Sequence, residues 1–262
     1  TPWEWQPELK HIAEEEGLIC FSSPFDKTSV DFLEAMDVPA YKIASFEITD
    51  IPLIEYVASK MKPVIISTGI ATYEDIEGAI AACKRVGNDQ IALLKCTSSY
   101  PAPVALANLR TIPDMRERFK LPVGLSDHTM SSSVAIASVA LGARILEKHF
   151  ILDRGIGGPD AAFSMNKEEF SEMVRCVREV EMALGKPTYE LTEKVRNNRK
   201  FARSLFVAQD MYAGDTVTEE NVRSVRPSEG LSPKYLPYIL VKKVKCDIKK
   251  GEPFKREYLS DD

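Results

Sequence analysis

The sequence predicts an α/β fold, a TIM (β/α)8-type barrel that lacks its first two strands, followed by a small β-rich domain. Short apolar runs alternate with amphipathic helical stretches, which is typical of a parallel sheet. Polar side chains follow six consecutive runs, and a barrel gathers such strand ends around one mouth. The predicted strands are Leu18–Ser23, Ala40–Ser45, Val64–Thr68, Ile91–Thr97, Pro122–Ser126 and Arg144–His149.

Helix start signals lie between these runs. Thr72 and Asp75 have the spacing of a capping box, and Asp50 precedes a predicted helix with Pro52 in its first turn. Asn166 is predicted to cap a long helix that ends near Gly185.

The number of strands leaves two interpretations open. A closed barrel needs about eight β-α units, whereas the sequence supplies about six. Either the sheet is open, or two units are missing before the first residue. An open sheet concentrates its site at one switch point, so polar residues at all six strand ends favour the barrel.

The character of the chain changes after the long helix. Residues 1–185 form the predicted partial barrel, and residues 186–200 are charged and indicate a linker. Residues 201–262 are predicted to form a compact module, because the stretch after Gly214 weakly repeats the stretch after Gly251.

Composition excludes several classes of protein. The net charge of −5 argues against a general nucleic-acid binder, and no apolar run is long enough to span a membrane. Five scattered cysteines without a CxxC pair favour reduced thiols, and hence a cytoplasmic protein, over a disulfide framework.

Two histidines end apolar runs, at neighbouring predicted strands, in similar contexts. Alternate residues of a strand face the same side, so Ser126 shares a face with His128, and Glu147 shares one with His149. Neutral imidazole is a common metal ligand, and two imidazoles with water and substrate oxygens could hold manganese, iron or zinc. Structural histidines are the simpler alternative.

Lys42 is a charge inside an otherwise apolar predicted strand. Buried lysines are rare unless they are paired or bind an anion, and serines at neighbouring strand ends could donate to the same anion. A Schiff-base role is the competing functional interpretation. Asp160, in a glycine-rich loop after the last strand, is a candidate for binding sugar hydroxyls.

Seven motifs occur in order and together resemble the sialic acid synthase family, which condenses phosphoenolpyruvate with an N-acylated amino sugar. They begin at Phe21, Lys42, Ser67, Cys96, Gly124, Glu147 and Gly158. The C-terminal module resembles that family's antifreeze-like (SAF) domain. Residues 1–6 and 157–164 are most similar to the branch that makes pseudaminic acid.

The resemblance implies a role for each candidate residue. His128 and His149 would bind a divalent metal, usually manganese, with Glu147 supporting it. Glu47, Tyr100 and Asp160 would bind the sugar, and Glu47 would also stabilise developing positive charge. Arg226 would reach the active site of the partner in a domain-swapped homodimer. The residues that would hold phosphoenolpyruvate are Lys42, Ser45, Ser67, Ser98 and Ser126, with Ser98 where the family often has asparagine.

Three alternatives remain open at the level of sequence. The sugar could be that of an N-acetylneuraminate or legionaminate synthase, or the enzyme could be a Schiff-base aldolase. A non-catalytic carbohydrate-binding protein is the third. Because the family carries two further N-terminal strands, we expect the 262-residue chain by itself to have little or no activity.

Overall fold

The computed structural model describes residues 2–260 of the chain. Contacts between its residues divide the chain into two compact units, residues 1–185 and residues 186–262. Each unit has a hydrophobic core of its own.

The first unit is built on a curled parallel sheet of five strands in the order β1-β2-β3-β4-β5, which confirms the predicted α/β barrel class. Neighbours in sequence pair throughout, so the carboxyl ends of all five strands lie at one edge. The strands are β1 (Tyr41–Ile43), β2 (Val64–Ser67), β3 (Ile91–Cys96), β4 (Val123–Asp127) and β5 (Leu146–Lys148).

Helices connect the strands and cover the sheet. In this unit they are α1 (Gln6–Glu15), α2 (Lys27–Ala35), α3 (Ile51–Ala58), α4 (Tyr73–Arg85), α5 (Thr111–Phe119), α6 (Ser132–Ala140) and α7 (Lys167–Leu184). The structure confirms the predicted caps. Thr72 and Asn166 both form complete capping boxes, and the Asp50 side chain accepts from the backbone N–H of Leu53.

Apolar strand residues explain why this sheet forms. Ile43, Val64, Ile66, Leu93 and Val123 are all fully buried, as expected for a parallel sheet covered by helices. Their burial holds the strands in place and leaves the polar residues at the carboxyl edge to line a site.

The first predicted strand is wrong. Leu18–Ser23 makes only a single bridge between Ser22 and Tyr41, with the Lys42 backbone N–H donating to the Ser22 carbonyl. Pro24 follows at once, has no N–H to extend a ladder, and ends the pairing.

The second unit is small and rich in β-structure. Its paired strands are antiparallel, and both repeat glycines, Gly214 and Gly251, have positive φ angles. Residues 186–200 include a short helix capped by Thr192. Its elements are α8 (Glu193–Asn198), β6 (Ser204–Val207), β7 (Val222–Val225) and α9 (Leu236–Ile239). Across residues 2–260, no helix combines the length and the apolar character needed to cross a membrane.

Candidate active site

A cavity of about 500 Å³ lies at the carboxyl ends of β1 to β5. It brings together side chains from five strands and from the loop that follows β5. Of the residues predicted from sequence, its lining includes Lys42, Ser45, Ser67, Tyr100, Ser126, His128, Glu147, His149 and Asp160. A volume of this size suits a small-molecule ligand.

Lys42 on β1 supplies a buried positive charge. Its Nζ donates to Ser67 Oγ at 2.8 Å and to the Ile43 carbonyl at 3.2 Å, and it lies 3.6 Å from Glu147 Oε2. Burial lowers the pKa of the Lys42 amine below its ordinary value, and the Glu147 carboxylate opposes that shift. An anionic ligand in the cavity would compensate a charge that is only partly paired here.

Further serine hydroxyls lie at the ends of neighbouring strands. Ser45 Oγ lies 3.0 Å from Ser98 Oγ and accepts from the backbone N–H of Ile70. A Cβ atom at Gly69 would lie 2.1 Å from Ser98 Oγ, so only glycine allows the two hydroxyls to approach this turn. Ser126 Oγ donates to Glu147 Oε1 at 2.6 Å.

The two predicted metal ligands lie side by side. The ring centroids of His128 and His149 are 5.2 Å apart. The carbonyl of Thr97 can only accept, so His128 Nδ1, 3.1 Å away, carries the proton and Nε2 keeps its lone pair. Burial lowers the pKa of His128, which favours the neutral imidazole that a metal requires.

A divalent metal is compatible with this pair, although the donor set is small. Residues 2–260 contain no group of three His, Cys, Asp or Glu side chains placed to hold a metal ion. His149 Nδ1 lies 3.5 Å from Asp160 Oδ2, so a carboxylate lies beside the second ring, while the Thr97 carbonyl is hydrogen-bonded to the first. The two imidazoles would provide the protein ligands, and water or substrate oxygens would complete the shell.

Aromatic rings form the wall beside the histidines. Tyr100 lies 4.4 Å from the His128 ring and 5.5 Å from Phe163, and Phe163 lies 5.0 Å from His149, all measured between ring centroids. The wall is aromatic, and Asp160, whose side chain is well exposed, lies beside its His149 end.

Three predicted residues do not line the cavity. Ser98 Oγ lies within hydrogen-bond distance of Ser45 Oγ, and Glu47 follows β1 in a short 3-10 helix. Glu47 Oε2 is buried and has no hydrogen-bond partner within residues 2–260. Arg226 belongs to the second unit, where it is exposed and directly follows β7.

Three lining residues were missed from the sequence, namely Ala44, Phe46 and Cys96, and a fourth, Ser23, was predicted only as the polar end of the first strand. Cys96 ends β3 and contacts Ser98 Oγ and His128 Nδ1, each at 3.9 Å. Cys96 is the register partner of Ser126, which also lines the cavity, but this register is a tertiary feature that the sequence does not show. Phe46 has an apolar side chain and gave no signal in the sequence.

Comparisons with known proteins agree with this geometry. Residues 1–189 match the NeuB family, and residues 202–257 match the SAF domain. The chain is 46% identical over 256 residues to a pseudaminic acid synthase of Campylobacter jejuni, covering 98% of this chain and 75% of the relative. A pseudaminic acid synthase of Helicobacter pylori is 43% identical over 254 residues, covering 97% and 75%.

The fold is similar to the solved structures of two further proteins. A spore coat polysaccharide biosynthesis protein from Bacillus subtilis aligns with a TM-score of 0.68 at 32% identity, covering 99% of this chain and 78% of that one. An N-acetylneuraminic acid synthetase from Leptospira borgpetersenii aligns with a TM-score of 0.71 at 30% identity, covering 76% and 69%. Together with the family match, these relatives establish that the chain belongs to the NeuB family, that it carries a SAF domain, and that it is a synthase of the carbon–carbon bond-forming type.

Proposed function

We propose that the site condenses phosphoenolpyruvate, the aldehyde form of an N-acetylated amino sugar and water to give a nine-carbon sugar acid and phosphate. The proposed sugar is 2,4-diacetamido-2,4,6-trideoxy-L-altrose, and the product is then pseudaminic acid. The Campylobacter jejuni and Helicobacter pylori relatives, both named pseudaminic acid synthases, support this choice.

The observation that carries the proposal is the position of a partly paired buried lysine in the same cavity as two imidazoles. Lys42 and the His128–His149 pair all line one space of about 500 Å³. An anion on the lysine and an aldehyde oxygen near the imidazoles would therefore be held within reach of each other.

The phosphoenolpyruvate end of the site consists of one cation and several hydroxyls. Lys42 would neutralise the phosphate or carboxylate, because a charge-assisted hydrogen bond is stronger than a neutral one. The neutral donors would be Ser45, Ser67 and Ser126, with Ser126 turning its proton from Glu147 to the ligand, and Ser98 would act through its bond to Ser45.

The sugar aldehyde would lie at the imidazole end. His128 and His149 would hold a divalent metal, for which the sequence resemblance implies manganese. When bound, such a metal supplies Lewis acidity that polarises the aldehyde oxygen. Glu147 accepts from Ser126 and lies near Lys42, so its carboxylate would link the two halves of the site and support the metal site.

Bond formation begins when C3 of phosphoenolpyruvate attacks the aldehyde carbon. Positive charge then develops at C2, water adds to that carbon and loses a proton, and the tetrahedral adduct releases phosphate. Glu47 follows β1, the strand that carries Lys42. The Oε2 atom of Glu47 is buried and has no hydrogen-bond partner among the described residues, which suits it to stabilise the positive charge that develops at C2.

Sugar recognition would use the aromatic wall and the loop after β5. Tyr100 and Asp160 would contact the sugar, and the neighbouring residues Ala161, Ala162 and Phe163 present no side-chain hydrogen-bonding group. A 6-deoxy sugar ends in a methyl group, so an apolar wall would favour it over a 6-hydroxy sugar.

We also propose a domain-swapped homodimer in which Arg226 reaches the partner's site.

Phosphate release is the direct test. The protein to assay is a chimaera in which this chain replaces the 256 matched residues of the Campylobacter jejuni relative. We expect release only when phosphoenolpyruvate, the sugar and manganese are all present, with EDTA abolishing it. Preference for N-acetylmannosamine, or release with no sugar, would contradict the proposal. The 262-residue chain assayed alone tests the expectation of little or no activity.

A Schiff-base aldolase is the second candidate, because burial lowers the pKa of Lys42 and so makes a neutral amine more accessible. Borohydride reduction in the presence of substrate distinguishes the two. Trapped substrate on Lys42 would support the aldolase, whereas an unmodified lysine together with phosphate release supports the synthase.

A further inference from the structure

Behind the two histidines, on the opposite face of the sheet, lies a buried ion pair that the proposed chemistry does not use. Lys148 Nζ lies 3.0 Å from Asp127 Oδ2, and the two side chains are only 1% and 2% exposed. Asp127 ends β4, Lys148 ends β5, and the two are register partners.

Both members of the pair also bind the same residue. Lys148 Nζ donates to the Thr129 carbonyl at 2.5 Å, and Asp127 Oδ1 accepts from the Thr129 backbone N–H at 2.9 Å. Thr129 directly follows His128, so these bonds enclose the histidine backbone between two fixed points.

Along both strands, the ion pair lies one residue before the histidines. Ser126 and Glu147 are register partners whose side chains bond in the cavity, and Asp127 and Lys148 follow on the other face. The next step along both strands is His128 and His149, beyond the last paired residues of the sheet.

No mutual backbone bond joins the two histidines within the described residues. The His128 carbonyl accepts from the Ala102 backbone N–H, and the His149 carbonyl accepts from the Met165 backbone N–H, each at 2.9 Å. The separation of the two histidine backbones therefore depends in part on what holds β4 to β5 immediately before them.

We propose that the Asp127–Lys148 pair, with Thr129, is a positioning clasp that fixes the separation of His128 and His149 for metal binding. The clasp rests on the proposed function in one respect, namely that the two imidazoles bind a divalent cation. Ligand-supporting residues of this kind affect metal affinity by about 10- to 100-fold.

Stability alone is a weak reason for such a pair. An apolar pair of similar volume often replaces a buried ion pair without loss of stability, whereas it supplies no directional bonds. The variant Asp127→Leu/Lys148→Met should therefore fold and yet loosen the strand ends. The matched control is Asp31→Leu/Lys60→Met, which removes an exposed ion pair of the same 3.0 Å length.

Two measurements on the 262-residue chain test the clasp. Titration of manganese followed by electron paramagnetic resonance gives its affinity, and hydrogen exchange of peptides that cover residues 123–129 and 146–150 gives the order of the strand ends. We expect about tenfold weaker manganese binding and faster exchange in the clasp variant only. Unchanged exchange in that variant would overturn the clasp, whatever the manganese result.

Two further variants keep the test decisive. Should the double variant not fold, Lys148→Gln removes the charge while keeping a donor, and it is judged by the same exchange criterion. Lys148→Arg keeps both charge and donors and should remain within about twofold of the parent chain in manganese affinity. A parent chain that does not bind manganese refutes the proposed metal, while exchange still decides whether the clasp holds the strand ends.

Discussion

Lys148 and Lys42 are both buried lysines at the carboxyl edge of one sheet, but they lie on opposite faces of it. On the outer face, Lys148 has a carboxylate at 3.0 Å and a carbonyl at 2.5 Å, and almost none of its side chain meets solvent. On the inner face, Lys42 has a hydroxyl, a carbonyl and a carboxylate at 3.6 Å, and it lines a cavity.

The difference shows that a buried charge whose hydrogen-bond partners all come from the protein has a structural role, whereas one with unfilled partner positions can bind a ligand. Burying a lysine costs free energy on either face, so each must be compensated. Protein groups compensate Lys148 closely, whereas Lys42 is left with room for an anion. The four predictions below follow from this contrast.

The largest effect is expected on the outer face. Lys148→Met leaves the Asp127 carboxylate buried without its cation, which should lower the free energy of unfolding by about 3–5 kcal/mol. Urea denaturation followed by circular dichroism measures this change. Lys60→Met, at an exposed pair of equal length, should cost about 0–1 kcal/mol, and equal losses in the two variants would remove the distinction.

A second incompletely partnered group, Glu47, lies in the short 3-10 helix that follows β1. Glu47→Gln keeps the shape of the side chain but removes the negative charge, so turnover should fall by about 10²- to 10³-fold. Steady-state phosphate release by the chimaera measures it. A Gln variant that keeps full turnover would show that the charge of Glu47 has no role in the reaction.

Most of the site could be predicted from the sequence, because the site residues are polar exceptions within otherwise apolar strands. A lysine in an apolar strand, and histidines that end apolar runs, are exceptions to the composition of a buried parallel strand. Strand parity then placed Ser126 with His128 and Glu147 with His149 on one face, and the structure brings all four to one cavity. Local start signals identified the helix caps equally well.

Other features depend on tertiary context that no local pattern reveals. Leu18–Ser23 has the composition of a strand, yet it lies beside only one partner and bridges it at a single position. Asp127 and Lys148 stand next to the histidines in sequence, but only the register of β4 against β5 shows that they pair. Phe46 lines the cavity through the turn after β1, and an exposed phenylalanine in a turn carries no chemical signal.

The contrast predicts an opposite stability result on the inner face. Lys42→Met removes a buried, partly paired charge, so the free energy of unfolding should stay the same or rise by about 1 kcal/mol. Binding of phosphoenolpyruvate, measured by calorimetry, should weaken by about 10- to 100-fold, because a hydrogen bond to a charged group contributes about 1.5–3 kcal/mol. A variant that is strongly destabilised, or that binds as well as the parent chain, would place Lys42 in the same class as Lys148.

The smallest predicted effect is a pH dependence that also belongs to Lys42. Burial lowers the pKa of its amine, so the positive charge is lost at a lower pH than for an exposed lysine. Affinity for phosphoenolpyruvate should therefore decline from neutral to alkaline pH, as the amine loses its proton below the ordinary pKa of a lysine. The effect on stability has the opposite sign. The unfolded chain retains this proton to higher pH, so the penalty for burying the charge is relieved as pH rises. Calorimetric titrations with phosphoenolpyruvate across this pH range measure the affinity, and Lys42→Met is the control that lacks the titrating amine. An affinity that does not change with pH in the parent chain would mean that Lys42 does not carry the charge that binds the anion.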